Sequence, residues 1–169
     1  MMQEKSMSCG PACVAMTKVY YTSSITANLE VEVRRISQNY PGAFTEIGGT
    51  SLKNLVSVLR AEGVKTYDAI HVGRIWDYLY TYAKDNTPVI VHIQWPGTVA
   101  APGGAHVCVC IYVYKTEQKC IFLDPWYGLV ELAGSQLPSY TVGDPTGTFG
   151  SVAQGTLSGW IIVTRAADQ

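Results

Sequence analysis

Charge is scarce in this chain. Only 15% of its 169 residues are Asp, Glu, Lys or Arg, the net charge is −1, and nowhere do Lys and Arg gather into a block. Without such an electrostatic footprint, nucleic acid is not expected as a partner. Long apolar runs are also missing. None approaches the roughly 18 residues that a spanning helix needs, so membrane insertion is not expected either. Met1 to Cys13 lacks the basic start and the continuous apolar segment of a secretory signal, and five Cys is an odd number for a disulfide framework. Reduced thiols in a cytoplasm, or export by a route that needs no signal peptide, are therefore expected. Internal repeats, low-complexity stretches and composition shifts are absent. What is present is 47% apolar residues, enough for one packed domain over residues 1–169.

Helical spacing dominates the first half. A helix is expected from Cys9 to about Tyr21, with Ser8 as N-cap, Pro11 in the first turn and Val14, Ala15, Tyr20 and Tyr21 as its buried stripe. Ser24–Ser37 reads as a second helix, through Ile25, Leu29, Val33 and Ile36. Gln38–Thr50 is loop, marked by Tyr40-Pro41-Gly42 and Gly48-Gly49. Ser51 caps a third helix that Gly63 stops, and a fourth is expected over Val72–Lys84. After Pro88 the pattern becomes that of strands: Val89–Trp95, His106–Tyr114, Lys119–Asp124 and a closing strand near Trp160–Val163. Helices first and strands after predict an α+β fold, an N-terminal helical half packed on a C-terminal antiparallel β-sheet.

Chemistry concentrates at four places. Cys9 stands at a helix start, where the macrodipole favours thiolate over thiol, which suits a nucleophile. Gln3, upstream of it, offers an amide donor for a developing oxyanion. His106 opens a strand after Gly103-Gly104-Ala105, glycines that let another chain approach, and is the leading general base. His92, flanked by Val91 and Ile93, reads as a structural histidine, and His71 sits in a turn. On the His106 strand, alternation puts Val107, Val109, Ile111 and Val113 on one face and His106, Cys108, Cys110 and Tyr112 on the other. Asp124 ends the next strand before Pro125 and can orient the His106 ring. A turn centred on Lys115 would set the two opposite; a later turn needs a bulge to bring them together. Asp144 has only a turn residue's context. Trp126 shields the His–Asp contact or simply fills core.

A metal reading of His106-Val107-Cys108-Val109-Cys110 fails on geometry. Alternate strand residues project in parallel about 7 Å apart, whereas zinc sites use turns that converge on one point. The glycine pairs lack phosphate-loop spacing. No metal and no cofactor is expected.

With Gln3, Cys9, His106 and Asp124 in that order, the chain resembles the papain-like cysteine peptidases. It is most similar to the bacterial double-glycine leader peptidases, which process bacteriocin precursors, and to their stand-alone relatives. The resemblance rests on Gln3, Ser8-Cys9-Gly10-Pro11-Ala12-Cys13, Gly49-Thr50-Ser51-Leu52, Pro88–Val91, Gly104-Ala105-His106-Val107 and Leu123-Asp124-Pro125 with Gly128 beyond. It implies the papain-like fold and cleavage of a peptide or isopeptide bond after small residues such as Gly. It also implies Cys9 as nucleophile, His106 as base and acid, Asp124 as orienter, and Gln3 with the Cys9 N–H as oxyanion hole. Trp95, Gly104 and Trp126 are expected to bracket the cleft. The partner is then a peptide or protein substrate, with an inhibitor, an immunity protein or a transporter as further partners. Related readings are a bacterial effector or toxin protease and a peptidoglycan amidase of the same fold. The rival of another class is a papain-like binding module without chemistry.

Overall fold

The computed structural model describes residues 2–96, 104–143 and 152–165. Helix α1 (Cys9–Thr22) buries Ala12, Cys13, Val14, Ala15 and Met16, and it ends where Ser23 takes a left-handed conformation. Tyr20 and Tyr21 are only half-buried, with their hydroxyls bonded to Asn86 O at 2.8 Å and to Thr164 Oγ1 at 3.0 Å. Helix α2 (Leu29–Ser37) starts five residues later than expected. Asn28 is left-handed there (φ 65°), and Ile25, counted as stripe, is 77% exposed. Helix α3 (Leu52–Ala61) is capped as expected, Ser51 Oγ accepting from Asn54 N at 3.1 Å. Helix α4 (Ile75–Tyr82) is shorter than its apolar spacing suggests: Val72 N still bonds Gly159 O, continuing the pairing of Ile70–His71, and Ala83–Asp85 tightens into a 3-10 turn.

Among the described residues one antiparallel sheet holds eight strands. They are β1 (Lys65–Thr66), β2 (Ile70–His71), β3 (Val89–Gln94), β4 (Ala105–Tyr114), β5 (Lys119–Asp124), β6 (Gly128–Ala133), β7 (Ser139–Gly143) and β8 (Val152–Arg165). The order is β1-β8-β3-β4-β5-β6, with β2 and β7 also paired to β8. The closing strand is thus far longer than the apolar run Trp160–Val163. It lies against β3 on one side and takes β1, β2 and β7 in turn on the other.

Both faces of the sheet are covered, which is why Val89, Ile90, Val91 and Ile93 are all apolar rather than alternating, with His92 alone breaking the run. Ile90, Val107, Val109 and Ile162 face α1, α2 and α3. Val89, Val91, Ile93, Cys108, Cys110 and Phe122 face α4 and the β7 residues Tyr140 and Val142. The N-terminal helices do pack on the sheet as the α+β reading requires, but α4 crosses to the opposite side.

Strand β4 departs from strict alternation. Pairing runs Val109↔Leu123 and Cys110↔Phe122, then resumes at Tyr112↔Ile121 and Val113↔Cys120, so Ile111 is an extra residue. This bulge turns Val113 onto the face of Cys108 and Cys110, not that of Val107 and Val109.

Candidate active site

Cys9 is half-buried at the first turn of α1, next to the start of β4. Close packing fixes that turn. A Cβ on Gly10 would lie 2.2 Å from Thr50 Cγ2 and 2.8 Å from Leu55 Cδ2, so only glycine lets α1 sit this near to α3. Ser8 occupies the N-cap position without capping: its hydroxyl donates to Glu30 Oε1 at 2.5 Å and no side chain caps α1. Glu30 comes from α2 and is buried. It accepts Glu4 N at 3.0 Å on Oε2 and Arg34 Nη1 at 2.9 Å on Oε1, so it clamps the loop leading into Cys9.

His106 and Asp124 are 3% and 1% exposed. The ring's Nε2 lies 3.0 and 3.1 Å from the two Asp124 oxygens, which leaves Nδ1 as the nitrogen for the Cys9 sulfur. Asp124 Oδ1 also accepts Trp126 N at 2.7 Å and Tyr127 N at 3.0 Å, and Oδ2 accepts the Tyr140 hydroxyl at 2.7 Å. Burial pulls His106 toward its neutral form. The Asp124 carboxylate and the Cys9 sulfur, both hydrogen-bonded to it, outweigh that and raise its pKa from 6.5 to about 9. Burial opposes the charge on Asp124 as well, yet its donors, His106 foremost, hold it below the usual carboxylate value. An imidazolium at neutral pH therefore lies between the Asp124 carboxylate and the Cys9 sulfur.

The other expected residues are placed as follows. Gln3 is half-buried; its backbone N–H bonds Pro125 O at 2.8 Å, beside Asp124. Its Nε2 donates to Lys5 O at 2.7 Å and Ser6 O at 2.9 Å, while Oε1 is buried with no partner among the described residues. Trp95 and Trp126 flank the imidazole, ring centroids 6.1 and 6.4 Å away. Gly104 is exposed, and its carbonyl accepts Trp95 N at 2.9 Å. A Cβ on Gly104 would meet nothing within 4 Å among the described residues, so the space beside it is open. Gly103 and Asp144 lie outside the described residues.

His92 is half-buried, with Nδ1 2.7 Å from Ser158 Oγ; burial and then repulsion from His106 lower its pKa. His71, in β2, takes Ser158 O at 3.0 Å. Cys13, Cys108 and Cys110 are buried thiols with pKa values pushed well up, chiefly by burial. Sequence reasoning misses Tyr140 and Glu30. Their signals are present but small. Tyr140 and Val142 alternate with Thr141 and Gly143 after Pro138, and Glu30 lies on the buried helical face shared by Val33 and Ser37.

A family model described as "Peptidase_C39 like family" matches residues 1–133. Two solved structures are similar in fold. One is a double glycine motif protease from an AMS/PCAT transporter, in complex with the leader peptide. It has a TM-score of 0.61 at 17% identity, over 98% of this chain and 89% of that one. The other is the peptidase domain of Streptococcus mutans ComA, with a TM-score of 0.50 at 17% identity, over 98% of this chain and 97% of that one. No curated protein sequence matches.

Proposed function

The chain belongs to the Peptidase_C39-like family and is a papain-like cysteine peptidase; from that premise we propose that it cleaves a peptide or isopeptide bond after a small residue, using Cys9, His106 and Asp124. One observation carries the assignment of roles: Asp124 holds Nε2 of a buried imidazole whose remaining nitrogen serves the sulfur at the start of α1. We further propose that residues 1–169 act as one domain, since β8, from the tail, lies inside the sheet against β3.

The Cys9 thiolate attacks the scissile carbonyl carbon, and the carbonyl π electrons move onto oxygen. The Cys9 N–H, at the uncapped start of α1, donates to that oxyanion. Gln3 is the second donor and exchanges one of its bonds to Lys5 O or Ser6 O for the substrate oxygen. As the tetrahedral adduct collapses, the C–N bond breaks and the His106 imidazolium gives its proton to the departing amine. A thioester remains. Sulfur now carries no negative charge, so one of the interactions that raised the His106 pKa is gone. The neutral ring takes a proton from water, hydroxide attacks the thioester, and the acid leaves with Cys9 restored as thiolate beside imidazolium.

The double glycine motif protease was solved with a leader peptide, and peptide is the substrate class we propose here. The test is labelling with a thiol-directed activity probe, followed by mapping of the modified Cys and by cleavage of a peptide library. Cys9 should be the labelled residue, and Cys9→Ala and His106→Ala should both abolish cleavage. Labelling at Cys108 or Cys120, or an active His106→Ala protein, would overturn the assignment.

A further inference from the structure

We infer that Tyr140 is a positioning residue for the His106–Asp124 pair, contributed by β7, beyond the residues that the family model matches. The inference rests on the catalytic reading above. Tyr140 is fully buried, and its hydroxyl donates to Asp124 Oδ2 at 2.7 Å. Oδ1 is held by two backbone N–H groups from Trp126 and Tyr127, so the Tyr140 hydroxyl is the donor that, with His106, fixes the second oxygen. An aspartate held on one oxygen can still swing about its last torsion. Held on both, it presents a fixed edge to Nε2, and the imidazole keeps its other nitrogen aimed at Cys9.

The tail builds the surroundings that keep this hydroxyl in place. The Tyr140 ring meets Phe122 edge-on at 5.6 Å and Trp95 at 6.1 Å, and Trp95 in turn lies beside His106. Tyr140 pairs with Gly155 of β8, where a Cβ would stand 2.5 Å from the Trp95 ring. Glycine at 155 therefore lets Trp95 pack down against Tyr140. Together β7, β8 and β3 wall off the far side of the carboxylate from water. In so dry a place a hydroxyl without an acceptor is costly, and so is a carboxylate oxygen without a donor.

The groups facing Asp124 are His106 and Cys108 from β4, Tyr140 from β7 and Cys13 from α1. Burial keeps both thiols and the Tyr140 hydroxyl protonated, since it pushes all three pKa values up. Of Asp124 and these four neighbours, only Asp124 and His106 then change charge below the alkaline range; Cys9, on the far side of the His106 ring, is the group that the alkylation reads. Removing the Tyr140 hydroxyl withdraws a bond that favours ionised Asp124, so its pKa rises.

The test compares the wild-type protein with Tyr140→Phe, which deletes one oxygen, and with Val142→Ala, which weakens the same buried strand without touching Asp124. Iodoacetamide alkylation of Cys9, followed by mass spectrometry against pH, needs no substrate; kcat and KM come from a cleaved library peptide. Tyr140→Phe should lower kcat by about tenfold with KM within about twofold, as expected for loss of one buried bond to a charged group. A ring held less firmly by Asp124 brings its imidazolium less well onto the sulfur, so the acid limb of Cys9 alkylation should also move to higher pH. Val142→Ala should lower the melting temperature and move neither. A Tyr140→Phe protein with wild-type kcat and acid limb overturns the positioning role alone, as does a Val142→Ala protein that reproduces both changes. Wild-type Cys9 reacting no faster than His106→Ala at every pH overturns the catalytic reading, and this role with it.

Discussion

Asp124 reaches His106 diagonally across the β4–β5 ladder. The pairing Val109↔Leu123 continues to set Asp124 opposite Cys108, two residues from His106 and on the same face. The turn between these strands is centred beyond Lys115, as Tyr114↔Lys119 shows. With that turn and unbroken alternation, Asp124 would fall opposite Val109, facing the helices. The extra residue at Ile111 corrects the register by one and brings carboxylate and imidazole onto one side.

This geometry separates two deletions that look alike. Removing Ile111 joins Cys110↔Phe122 directly to Tyr112↔Ile121 and leaves Asp124 opposite Cys108. The protein should keep its activity and lose only the half-buried Ile111 side chain, about 1–2 kcal/mol. Removing Val109 instead turns His106 to the other face and should abolish turnover. Thermal melts and turnover of the two deletions check this. Loss of activity on deleting Ile111 in a folded protein would refute the register argument.

The His106 titration sets a pH window. Its pKa is raised from 6.5 to about 9, so the charged pair adds stability that is complete below 6.5 and lost as pH rises through about 9. The amount is on the order of 3 kcal/mol. Asp124 is shifted down, so its contribution is present above 3.8 and lost as pH falls through its lower folded value. Acylation should follow the imidazolium, with a basic limb near pH 9. His106→Ala should flatten the alkaline fall in melting temperature. A fall centred near 6.5 in the wild type would contradict the assignment.

Glu30 should matter to catalysis although it never reaches substrate. It holds Ser8, Glu4 N and Arg34 at once, and these fix the loop before Cys9. Glu30→Gln keeps the shape but turns one acceptor into a donor, facing either Ser8 and Arg34 or Glu4 N. Loss of a buried bond to a charged group costs about 1.5–3 kcal/mol. A melting shift of that size and several-fold slower alkylation of Cys9 are expected. Unchanged alkylation would make Glu30 a matter of stability alone.

Much of this arrangement is legible in the amino-acid sequence. The start of α1 follows from Pro11 and the apolar residues behind it, although the hydroxyl of Ser8 serves Glu30 rather than the cap, and β3 follows from a run of β-branched residues. The order Gln3, Cys9, His106, Asp124 points to one kind of chemistry. The features that are not legible depend on contacts distant in sequence. Asn28 breaks the apparent helix before Leu29 through a left-handed turn that local spacing does not reveal. The bulge at Ile111 is a consequence of pairing with β5, so alternation alone misassigns Val113. Tyr140 lies in a five-residue strand among glycines and prolines, and its role exists only because β8 folds back beside β3.

Substrate size is the last expectation. Trp126 and Trp95 stand half-buried on either side of the His106 ring, so bulk lies close to where the scissile bond must sit. A narrow subsite discriminates by overlap: a large side chain is expelled, whereas an extra methylene in a fitting pocket gains only about 1–3 kcal/mol. Gly or Ala on the acyl side should therefore be cleaved about a hundredfold faster than Leu or Phe. Trp126→Ala should raise cleavage of the larger residues more than that of Gly, since it removes a wall and leaves the Asp124 bond to the backbone N–H of residue 126 in place. A peptide library varied at the residue before the cut measures both. Equal rates for Phe and Gly in the wild type would replace the narrow cleft with a broad pocket, and cleavage of a peptidoglycan fragment in place of every peptide would move the substrate to another class of amide.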